Sequence, residues 1–441
     1  MTAFWCEHAM LAAGPVAGVR VTVAGGRIAA VDIGTEPAPD DVRLPGLVLP
    51  GFANAHAHAF HRALRGRTHD RGGTFWTWRE RMYAVAAQLD PDRYLALVRA
   101  TFAEMALGGV TCVGEFHYLH HPPGGGRYDD PNAMSEALIV AAADAGVRLT
   151  LLDACYVSGG LEGTGHLPLN DVQLRFSDGD AGAWAARLAL LPEREGLRIG
   201  AAVHSVRAVP AEQLAPIAEA AAGRPLHVHL SEQPAENAAC EAFYGCTPTR
   251  LLADRGVLGP QTTAVHATHL ADDDIALLGA AGTAVCACPS TEADLADGVG
   301  PFRLLRDAGS PLCLGSDQQA VSDLLGEARM LETSERLVTG ERGRFRPAEL
   351  LEALTVAGHR ALGWPDAGRL APGERADLVA VRVDSPRTAG CAPEQLVMAA
   401  TAADVHTVIT DGRIVVTDGR HVLGDVGALL AAAIEPLWEG R

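Results

Sequence analysis

Residues 47–58, LVLPGFANAHAH, join an apolar run directly to a pair of histidines. Side chains on an extended strand alternate between its two faces, so His56 and His58 point the same way. Two imidazoles on one face make half of a site for a first-row transition metal. An H-x-H pair also arises by chance or as a structural pairing. Its meaning therefore depends on whether other strand ends supply the missing ligands.

Length and charge limit the classes of protein that fit. A chain of 441 residues can form one large α/β barrel with an appendage, or roughly two to three ordinary domains. With 36 basic and 54 acidic residues, the net charge of −18 repels nucleic acid and anionic membrane surfaces. All the basic residues are arginine, because the sequence contains no lysine, which excludes lysine Schiff bases and carbamylated-lysine metal bridges.

The cysteines and the N-terminal segment predict a cytoplasmic protein. The nine cysteines are scattered and odd in number, and residues 1–8 do not combine a basic start with an apolar run. Cys286 and Cys288 share a strand face and could be metal ligands, but buried structural thiols are favoured. No apolar stretch approaches the ~20 uncharged residues that span a bilayer, so no membrane partner is predicted.

Short apolar runs alternate with helix-like segments through the middle of the chain, and each run ends in polar residues. Helices are predicted from Pro91 to Leu107 and from Pro210 to Ala222. This alternation favours a parallel (β/α)8 TIM-like barrel over an open doubly wound sheet. Residues 59–90 and 154–180 are then substrate-covering loops. The eight runs cover residues 47–52, 110–115, 147–153, 197–204, 225–229, 262–266, 283–288 and 311–317.

The two ends of the chain show the alternation of antiparallel strands. Residues 19–31 contain the turn AGGR, residues 405–417 contain the turn TDGR, and residues 376–383 add a further strand. Together they predict one small β-sandwich assembled from both termini. The predicted domains are this β-domain, residues 1–46 and 366–441, and a catalytic barrel, residues 47–365.

Ligand-type residues end four of the eight predicted barrel strands. His56 and His58 end the first, His229 the fifth, His266 the sixth and Asp317 the eighth. Because the carboxyl ends of barrel strands meet at one rim, these side chains should converge.

Two of these assignments have alternatives on the same strand or turn. Asp317 could instead cap the helix that begins near Ser322. Either His227 or His229 could be the ligand, and His229 is favoured because Glu232 follows three residues later, where its carboxylate could reach a metal-bound water.

Two further histidine groups are also ambiguous. His269 competes with His266, which lies nearer the strand end. His117, His120 and His121 form a cluster for which a supporting or loop role is favoured over a second metal site.

Three neutral imidazoles and one carboxylate around a single divalent ion leave a coordination position for water. Such an ion lowers the pKa of water from ~15.7 toward ~7. Zinc suits this ligand set, and ferrous iron accepts the same ligand types. We therefore expect one divalent metal ion per subunit.

The motifs PGFANAHAHAF, HVHLSE, AVHATH and LGSD resemble the amidohydrolase superfamily, in particular its mononuclear deaminase branch. The resemblance covers almost the whole chain, including a β-domain assembled from both termini. Binuclear members usually place a bridging carbamylated lysine after strand four. Here that strand ends in His204 and the chain has no lysine.

The motifs FWTWRERMY, EFHYLHH, HSVRAV and STEADLADG resemble the formimidoylglutamate deiminases of histidine degradation. The resemblance implies hydrolysis of N-formimino-L-glutamate, a linear amidine, to N-formyl-L-glutamate and ammonia, by an enzyme that is commonly a homodimer. The implied metal ligands are His56, His58, His229 and Asp317. Glu232 and His266 would handle protons, and the implied substrate contacts are Arg79, Tyr118, His204 and Arg207.

Reasoning from the reaction agrees with these roles. The amidine carbon is attacked by hydroxide, and the departing nitrogen needs a proton. We expect Asp317 or His266 to take the proton from the attacking water and Glu232 to deliver one to the nitrogen.

The substrate of such an enzyme carries two carboxylates, which a protein of net charge −18 can hold only with aimed cations. Arg207, three residues past the end of strand four, can bind one carboxylate bidentately. Arg79, in the tryptophan-bearing loop after strand one, could bind the other. The alternative for Arg79 is a surface salt bridge with Glu80 or Asp90.

Two departures from the family pattern concern the substrate. His61 stands in the substrate loop where glutamine is expected, and Gln318-Gln319 follow Asp317 where Ser-His is more usual. The alternatives to the deiminase are a deaminase of a cyclic amidine (a purine, pterin or cytosine derivative) and a non-catalytic scaffold. Two substrate-facing arginines argue against a neutral heterocycle, and the complete ligand set argues against a scaffold.

Overall fold

The computed structural model describes residues 1–69 and 73–439, which form two eight-stranded sheets and a short hairpin. The strands, in chain order, are β1 (Thr2–Leu11), β2 (Gly14–Ala24), β3 (Arg27–Ile33), β4 (Val42–Pro50), β5 (Phe52–Ala57), β6 (Val110–His117), β7 (Arg148–Cys155), β8 (Gly160–Glu162), β9 (Gly165–Leu167), β10 (Leu197–Val203), β11 (Leu226–Leu230), β12 (Thr262–His266), β13 (Ala284–Ala287), β14 (Leu312–Leu314), β15 (Leu378–Val381), β16 (Val405–Thr410), β17 (Arg413–Thr417) and β18 (Arg420–His421).

Eight parallel strands form a nearly closed barrel in the order β5-β6-β7-β10-β11-β12-β13-β14. All six residues of β5 and all eight of β6 are buried, as expected for strands covered on both faces. The second to eighth predicted runs each overlap one of these strands. The predicted (β/α)8 architecture is confirmed.

The barrel closes at a seam between its first and last strands. A parallel bridge joins Ala57 and Asp317. The backbone N–H of His58 donates to the Asp317 carbonyl at 3.0 Å, and the Asp317 N–H donates to the His56 carbonyl at 3.0 Å. Closure therefore brings the histidine pair beside the aspartate.

The termini build one mixed sheet with the order β18-β17-β16-β15-β4-β1-β2-β3. The predicted turns at residues 24–27 and 410–413 join β2 to β3 and β16 to β17. Phe4, Val21 and Leu378 belong to its own apolar core, separate from that of the barrel. The predicted β-domain from both termini is thus present, and the division at residues 46/47 and 365/366 stays a prediction.

The apolar run at residues 47–52 does not form one barrel strand. Residues 47–50 end β4, which pairs parallel with β1 and antiparallel with β15 in the terminal sheet. The barrel strand begins at Phe52, after Gly51. Both halves of the run are buried, so apolar character could not reveal where the chain passes from one sheet to the other.

Helices alternate with the barrel strands, and both predicted helices are present. Asp90 caps the first of them by accepting a hydrogen bond from the Arg93 N–H at 2.8 Å. No helix in the described ranges is long and apolar enough to cross a membrane. The α-helices found there are α1 (Phe75–Ala86), α2 (Pro91–Leu107), α3 (Ala133–Ala145), α4 (Ala181–Leu188), α5 (Ala211–Ala220), α6 (Pro234–Tyr244), α7 (Pro248–Asp254), α8 (Asp272–Ala281), α9 (Pro289–Asp294), α10 (Phe302–Asp307), α11 (Leu324–Thr339), α12 (Pro347–Glu352), α13 (Gly358–Ala361) and α14 (Val426–Ile434).

The two predicted substrate loops have structure of their own. Residues 59–90 contain a 3-10 turn and α1, while residues 70–72 of this loop lie outside the described part. Residues 154–180 contain the β8–β9 hairpin. Both loops contribute residues to the cavity at the carboxyl ends of the barrel strands.

Candidate active site

The four predicted metal ligands meet at the barrel seam. The Nε2 atom of His56 lies 3.2 Å from His229 Nε2 and 3.2 Å from Asp317 Oδ1. The Nε2 atom of His58 lies 3.3 Å from each of the same two atoms. Ligands at 2.0–2.1 Å from a tetrahedral ion are separated by about 3.3 Å. The spacing fits a single ion at the centre of the group.

Hydrogen bonds behind the histidines fix which nitrogen faces the centre. His58 Nδ1 lies 2.9 Å from the Phe116 carbonyl, and His229 Nδ1 lies 2.9 Å from the His204 carbonyl. A carbonyl only accepts, so each Nδ1 carries the proton and each Nε2 presents a lone pair. Two lone pairs 3.3 Å apart repel each other unless a cation lies between them. The donor set therefore fits a divalent metal ion.

Burial keeps these imidazoles neutral, as metal binding requires. It lowers the pKa of His56 to about 3, and it lowers the pKa of His58 and, more strongly, of His229. For Asp317 burial raises the pKa, but the imidazole of His56, whose Nε2 lies 3.2 Å away, and the nearby His266 outweigh it and hold the pKa below its usual value. The site thus offers three neutral nitrogens and one carboxylate.

Several strand ends around the site have positive φ angles at residues other than glycine. The values are 50° at Ser231, 68° at His266, 50° at Ala267 and 41° at Asp317. Such conformations cost on the order of 1–3 kcal/mol each and are common at functional sites. Here they turn the chain sharply where β11, β12 and β14 deliver their side chains.

His266 lies beside the ligand group and is surrounded by carboxylates. Its Nε2 is 3.8 Å from both Glu232 Oε1 and Asp317 Oδ2, and its Nδ1 is 3.4 Å from Glu292 Oε1. Burial opposes a charge on this ring, but these carboxylates outweigh it and raise the pKa of His266 to about 10. The arrangement places His266 and Glu232 within reach of a molecule at the centre.

Arg207 connects two carboxylates of the site. Its Nη2 donates to Glu232 Oε2 at 3.0 Å, and its Nε lies 2.8 Å from Glu236 Oε2. Glu236 in turn accepts a hydrogen bond from the Ser231 N–H at 3.1 Å. Arg207 therefore orients Glu232 as well as facing the cavity.

The cavity next to the ligand group has a volume of about 320 Å³, and every predicted site residue lines it except His56, which is fully buried beneath. His61 Nε2 and Tyr118 Oη form a hydrogen bond of 2.8 Å. The His204 ring lies 5.2 Å from the His229 ring. The Arg79 guanidinium stacks 4.5 Å from the ring of Trp76.

The structure separates the paired histidine candidates on β11 and β12. His227 Nε2 faces the Ala361 carbonyl at 3.3 Å, outside the ligand group. His269 Nε2 faces the Asp297 carbonyl at 2.8 Å. His229 and His266 therefore remain as the residues beside the centre.

The alternative role for Asp317 as a helix cap is not observed. The next helix, α11, is capped by Asp323, whose side chain accepts from the Gly326 N–H at 3.0 Å. Asp317 instead faces the histidines.

The second histidine cluster contains His117 and His120 close to Asp153. Three of the about four lone-pair sites of Asp153 are already used, because Arg187 binds both carboxylate oxygens at 2.8 Å and Trp184 Nε1 donates to one of them at 2.9 Å. A positive guanidinium at this distance opposes a second metal ion. The geometry supports the interpretation of this cluster as a buried network that holds the loop after β6.

Cys288 also comes near ligand-type atoms, those of His266 and Glu292. Burial raises the thiol pKa of Cys286 and of Cys288, so both stay protonated. Together with Cys313 they pack in a small apolar cluster, as expected of structural thiols.

The two departures from the family pattern occupy different places. His61 lines the cavity. Gln318 Nε2 donates to Asp294 at 2.7 Å and Gln319 Nε2 to the Asp317 carbonyl at 3.0 Å, and neither glutamine lines the cavity. Of the three, His61 is the residue that can contact a substrate.

Sequence reasoning missed Glu292, Tyr83 and Tyr156. Glu292 binds His266 and the Cys288 N–H, and it lies inside the STEADLADG motif, where a carboxylate just after a strand end was an available signal. The two tyrosines line the cavity from elements that only the fold brings together, α1 and the end of β7.

Comparison with known proteins agrees with this fold. Residues 47–415 match the profile of the Amidohydrolase family, and the chain belongs to that family. It is 35% identical over 412 residues to the formimidoylglutamate deiminase of Pseudomonas aeruginosa, which covers 90% of each chain. It is 32% identical over 367 residues to the 8-oxoguanine deaminase of the same organism, covering 81% of this chain and 79% of that one. The crystal structure of an amidohydrolase from Brucella melitensis superimposes with a TM-score of 0.90 at 31% identity, covering 99% of this chain and 100% of the other.

Proposed function

We propose that the protein is a zinc-dependent deiminase that hydrolyses N-formimino-L-glutamate to N-formyl-L-glutamate and ammonia. The family membership supports a hydrolytic deaminase, and the relative at 35% identity suggests the linear amidine substrate. Zinc is proposed from the ligand set of three imidazoles and one carboxylate.

The choice of substrate depends on Arg79, which lies in the cavity wall. Its guanidinium lines the cavity and stacks between Trp76 and Tyr83. Within the described part of the chain, no carboxylate lies within 4.0 Å of it. The proposed salt bridges to Glu80 and Asp90 are not formed there. An unpaired cation in a partly apolar cavity favours an anionic substrate over a neutral heterocycle.

The residues around the centre supply what amidine hydrolysis needs. When bound, the metal ion would lower the pKa of a water molecule so that hydroxide is available at neutral pH. His56, His58, His229 and Asp317 would hold the ion. The buried, carboxylate-rich surroundings of His266 and Glu232 supply groups that can move protons at the same place.

The proton transfers follow from these positions. The reaction adds water to the amidine carbon and breaks its bond to the terminal nitrogen, which leaves as ammonia. We propose that Asp317 accepts the proton of the attacking water, because His266, with its raised pKa, already carries a proton. The proton that the water loses reaches the departing nitrogen through Glu232, which Arg207 holds at the edge of the cavity, so the protons balance in the reaction.

An ammonia-release assay tests this proposal. Purified protein loaded with zinc is given N-formimino-L-glutamate, N-formimino-L-aspartate and several purines, and bound metal is measured on the same sample. We expect ammonia and N-formyl-L-glutamate from the first substrate at the highest kcat/KM. The absence of both products with a full complement of metal would show that the substrate assignment is wrong.

A deaminase of a cyclic amidine is the second candidate. The relative named for 8-oxoguanine supports it, and the aromatic walls of the cavity, including Trp78 and Phe176, could pack against a purine. Including 8-oxoguanine among the purines of the assay distinguishes the two candidates directly.

A further inference from the structure

The Gln173 side chain sits behind the cavity wall in a fixed orientation. Its Oε1 accepts a hydrogen bond from the Asn170 N–H at 3.0 Å, so the amide nitrogen faces the other way. That nitrogen lies 2.9 Å from Tyr156 Oη, 3.0 Å from Tyr83 Oη and 2.9 Å from the Gly159 carbonyl. An amide NH2 group donates and does not accept. Its two hydrogens face three oxygens, and neither phenol can donate its own hydrogen to this nitrogen.

The hydrogens of the two phenols must then point elsewhere. Both oxygens lie within 3.0 Å of the same amide nitrogen, and at most one of the two phenols can donate its hydrogen to the other. The second hydroxyl still has a hydrogen to donate, and among the described residues no acceptor receives it. Burial raises the pKa of the Tyr156 phenol well above its usual value, so it stays a donor. Both tyrosines line the cavity.

The position of this donor relates it to both the metal ligands and Arg79. The Tyr156 ring lies 4.6 Å from the His204 ring, which lies 5.2 Å from the ring of the ligand His229. On the other side, the Arg79 guanidinium lies 5.5 Å from the Tyr83 ring. His204 therefore lies between Tyr156 and the metal ligands, and Tyr83 lies next to Arg79.

We propose that Tyr83 and Tyr156, oriented by Gln173, form with Arg79 a carboxylate subsite that binds the side-chain carboxylate of the substrate. This inference rests on the proposed function for the identity of the substrate. A phenol O–H and a guanidinium N–H are donors, and a carboxylate is an acceptor with two oxygens, so the charges and hydrogen bonds match. Gln173 is a positioning residue, because it touches the tyrosines and not the substrate.

The subsite has a direct test with matched substrates. The double variant Tyr83→Phe/Tyr156→Phe removes the free hydroxyl whichever ring carries it. We expect its kcat/KM for N-formimino-L-glutamate to fall about ten- to a hundredfold, the usual effect of losing a charged hydrogen bond. Its kcat/KM for N-formimino-L-norvaline, in which a methyl group replaces the carboxylate, should change less than about twofold. A double variant that loses both activities equally, or neither, would overturn the subsite.

Gln173 and a control tyrosine complete the series. Gln173→Leu should reduce the preference for glutamate over norvaline derivatives, whereas a purely structural role would lower both rates together. Tyr128→Phe, which alters a tyrosine outside the cavity, should leave the preference unchanged.

Binding of glutarate, measured by calorimetry, separates this inference from the proposed function. Wild type should bind glutarate at least about tenfold more tightly than the double variant, and no binding by wild type would refute the subsite. Glutarate binding that depends on the tyrosines, without ammonia release from formiminoglutamate, would refute the function and keep the subsite. If the wild type turns over formiminoglutamate and the double variant keeps the same substrate preference, the proposed function stands and the subsite is refuted.

Discussion

Glu232 is held at the edge of the cavity by one cation and faces another. Its Oε2 accepts from Arg207 at 3.0 Å, and its Oε1 lies 3.8 Å from His266 Nε2. It is not one of the residues whose ligand atoms lie within 4.8 Å of one another, which are His56, His229, His266 and Asp317. A carboxylate so placed can exchange protons with a bound substrate without holding the metal.

Glu232→Gln should therefore separate metal binding from catalysis. We expect bound metal to stay at the wild-type level and kcat to fall about a hundredfold or more, because the amide cannot transfer the proton. Elemental analysis and the ammonia assay measure the two effects. Glu219→Gln, on an exposed turn of α5, is the control. Loss of metal in Glu232→Gln would make Glu232 a ligand instead.

The two arginines of the cavity should give different kinetic effects. Arg79 has no carboxylate partner in the described ranges, so Arg79→Ala should mainly raise KM for the dicarboxylate, about tenfold or more. Arg207 also holds Glu232 and Glu236, so Arg207→Ala should lower kcat as well. Steady-state kinetics of both variants, beside the exposed Arg342→Ala, checks this. Equal effects of the two substitutions on kcat would contradict the distinction.

Among the secondary-structure elements, the junction of β4 and β5 decides where the histidine pair lies. Gly51 lies between Pro50, the last residue of β4 in the terminal sheet, and Phe52, the first residue of β5 in the barrel. Its N–H donates to the Asp377 carbonyl at 3.0 Å, and the chain passes close to Thr111. The small residue lets two sheets approach one another at the point where the chain changes sheet.

Gly51→Ala tests this close approach. The added Cβ would lie 2.6 Å from Thr111 Cγ2 and 2.7 Å from Asp377 Cβ, closer than real Cβ atoms come. We expect a loss of about 1–3 kcal/mol in the free energy of unfolding, measured by chemical denaturation. Gly259→Ala is the matched control, because its Cβ would meet nothing within 4 Å. Unchanged stability of Gly51→Ala would mean that the junction is looser than it is in the structure.

On the scale of the whole molecule, a buried ion pair joins the barrel to the terminal sheet. Arg148, on β7, donates to Asp377 Oδ1 at 2.8 Å, and Asp377 directly precedes β15. Asp377 also accepts from the Asp411 N–H at 3.0 Å, which ties in the β16–β17 turn. Breaking a buried pair by removing one charge costs about 3–5 kcal/mol, because the other charge is left unpaired.

Asp377→Asn should show this cost together with a characteristic pH dependence. Burial raises the pKa of Asp377, but Arg148 outweighs it and lowers the pKa below its usual value. The contribution of the pair is then fully present above about pH 4 and is lost as the pH falls through the lowered pKa. Denaturation at several pH values should show the gap between wild type and variant closing in acid. The exposed Asp384→Asn should show no measurable gap, and a gap for Asp377→Asn that persists unchanged in acid would contradict this account.

Metal removal should affect both stability and activity of the molecule. Without a cation, the inward lone pairs of His58 and His229 repel each other at 3.3 Å. At a free metal concentration a hundred times Kd, binding adds about 2.7 kcal/mol to the free energy of unfolding. Treatment with a chelator should lower Tm and abolish ammonia release, and added zinc should restore both. Full activity and an unchanged Tm after verified metal loss would argue against the proposed centre.

The sequence alone was sufficient for the barrel, the β-domain from both termini and the strand ends that carry candidate ligands. The reason is local, because a buried parallel strand is a short apolar run and the residue after it faces the rim. His56, His229, His266 and Asp317 could be found in this way, since each ends or follows such a run.

Only the tertiary structure decided the features that depend on contacts between distant residues. It divided the run at residues 47–52 between two sheets. Both halves of the run are buried, so the boundary between them depends on the pairing of residues 47–50 with β1 and β15. It showed that His229, which the sequence favoured, lies at the centre and that His227, on the same strand face, does not. It also paired Arg207 with Glu232 and brought Tyr83 and Tyr156 to Gln173, since these contacts join elements far apart in the chain. Strand patterns are encoded locally, whereas the pairing of charges and hydrogen bonds is settled only when the barrel closes.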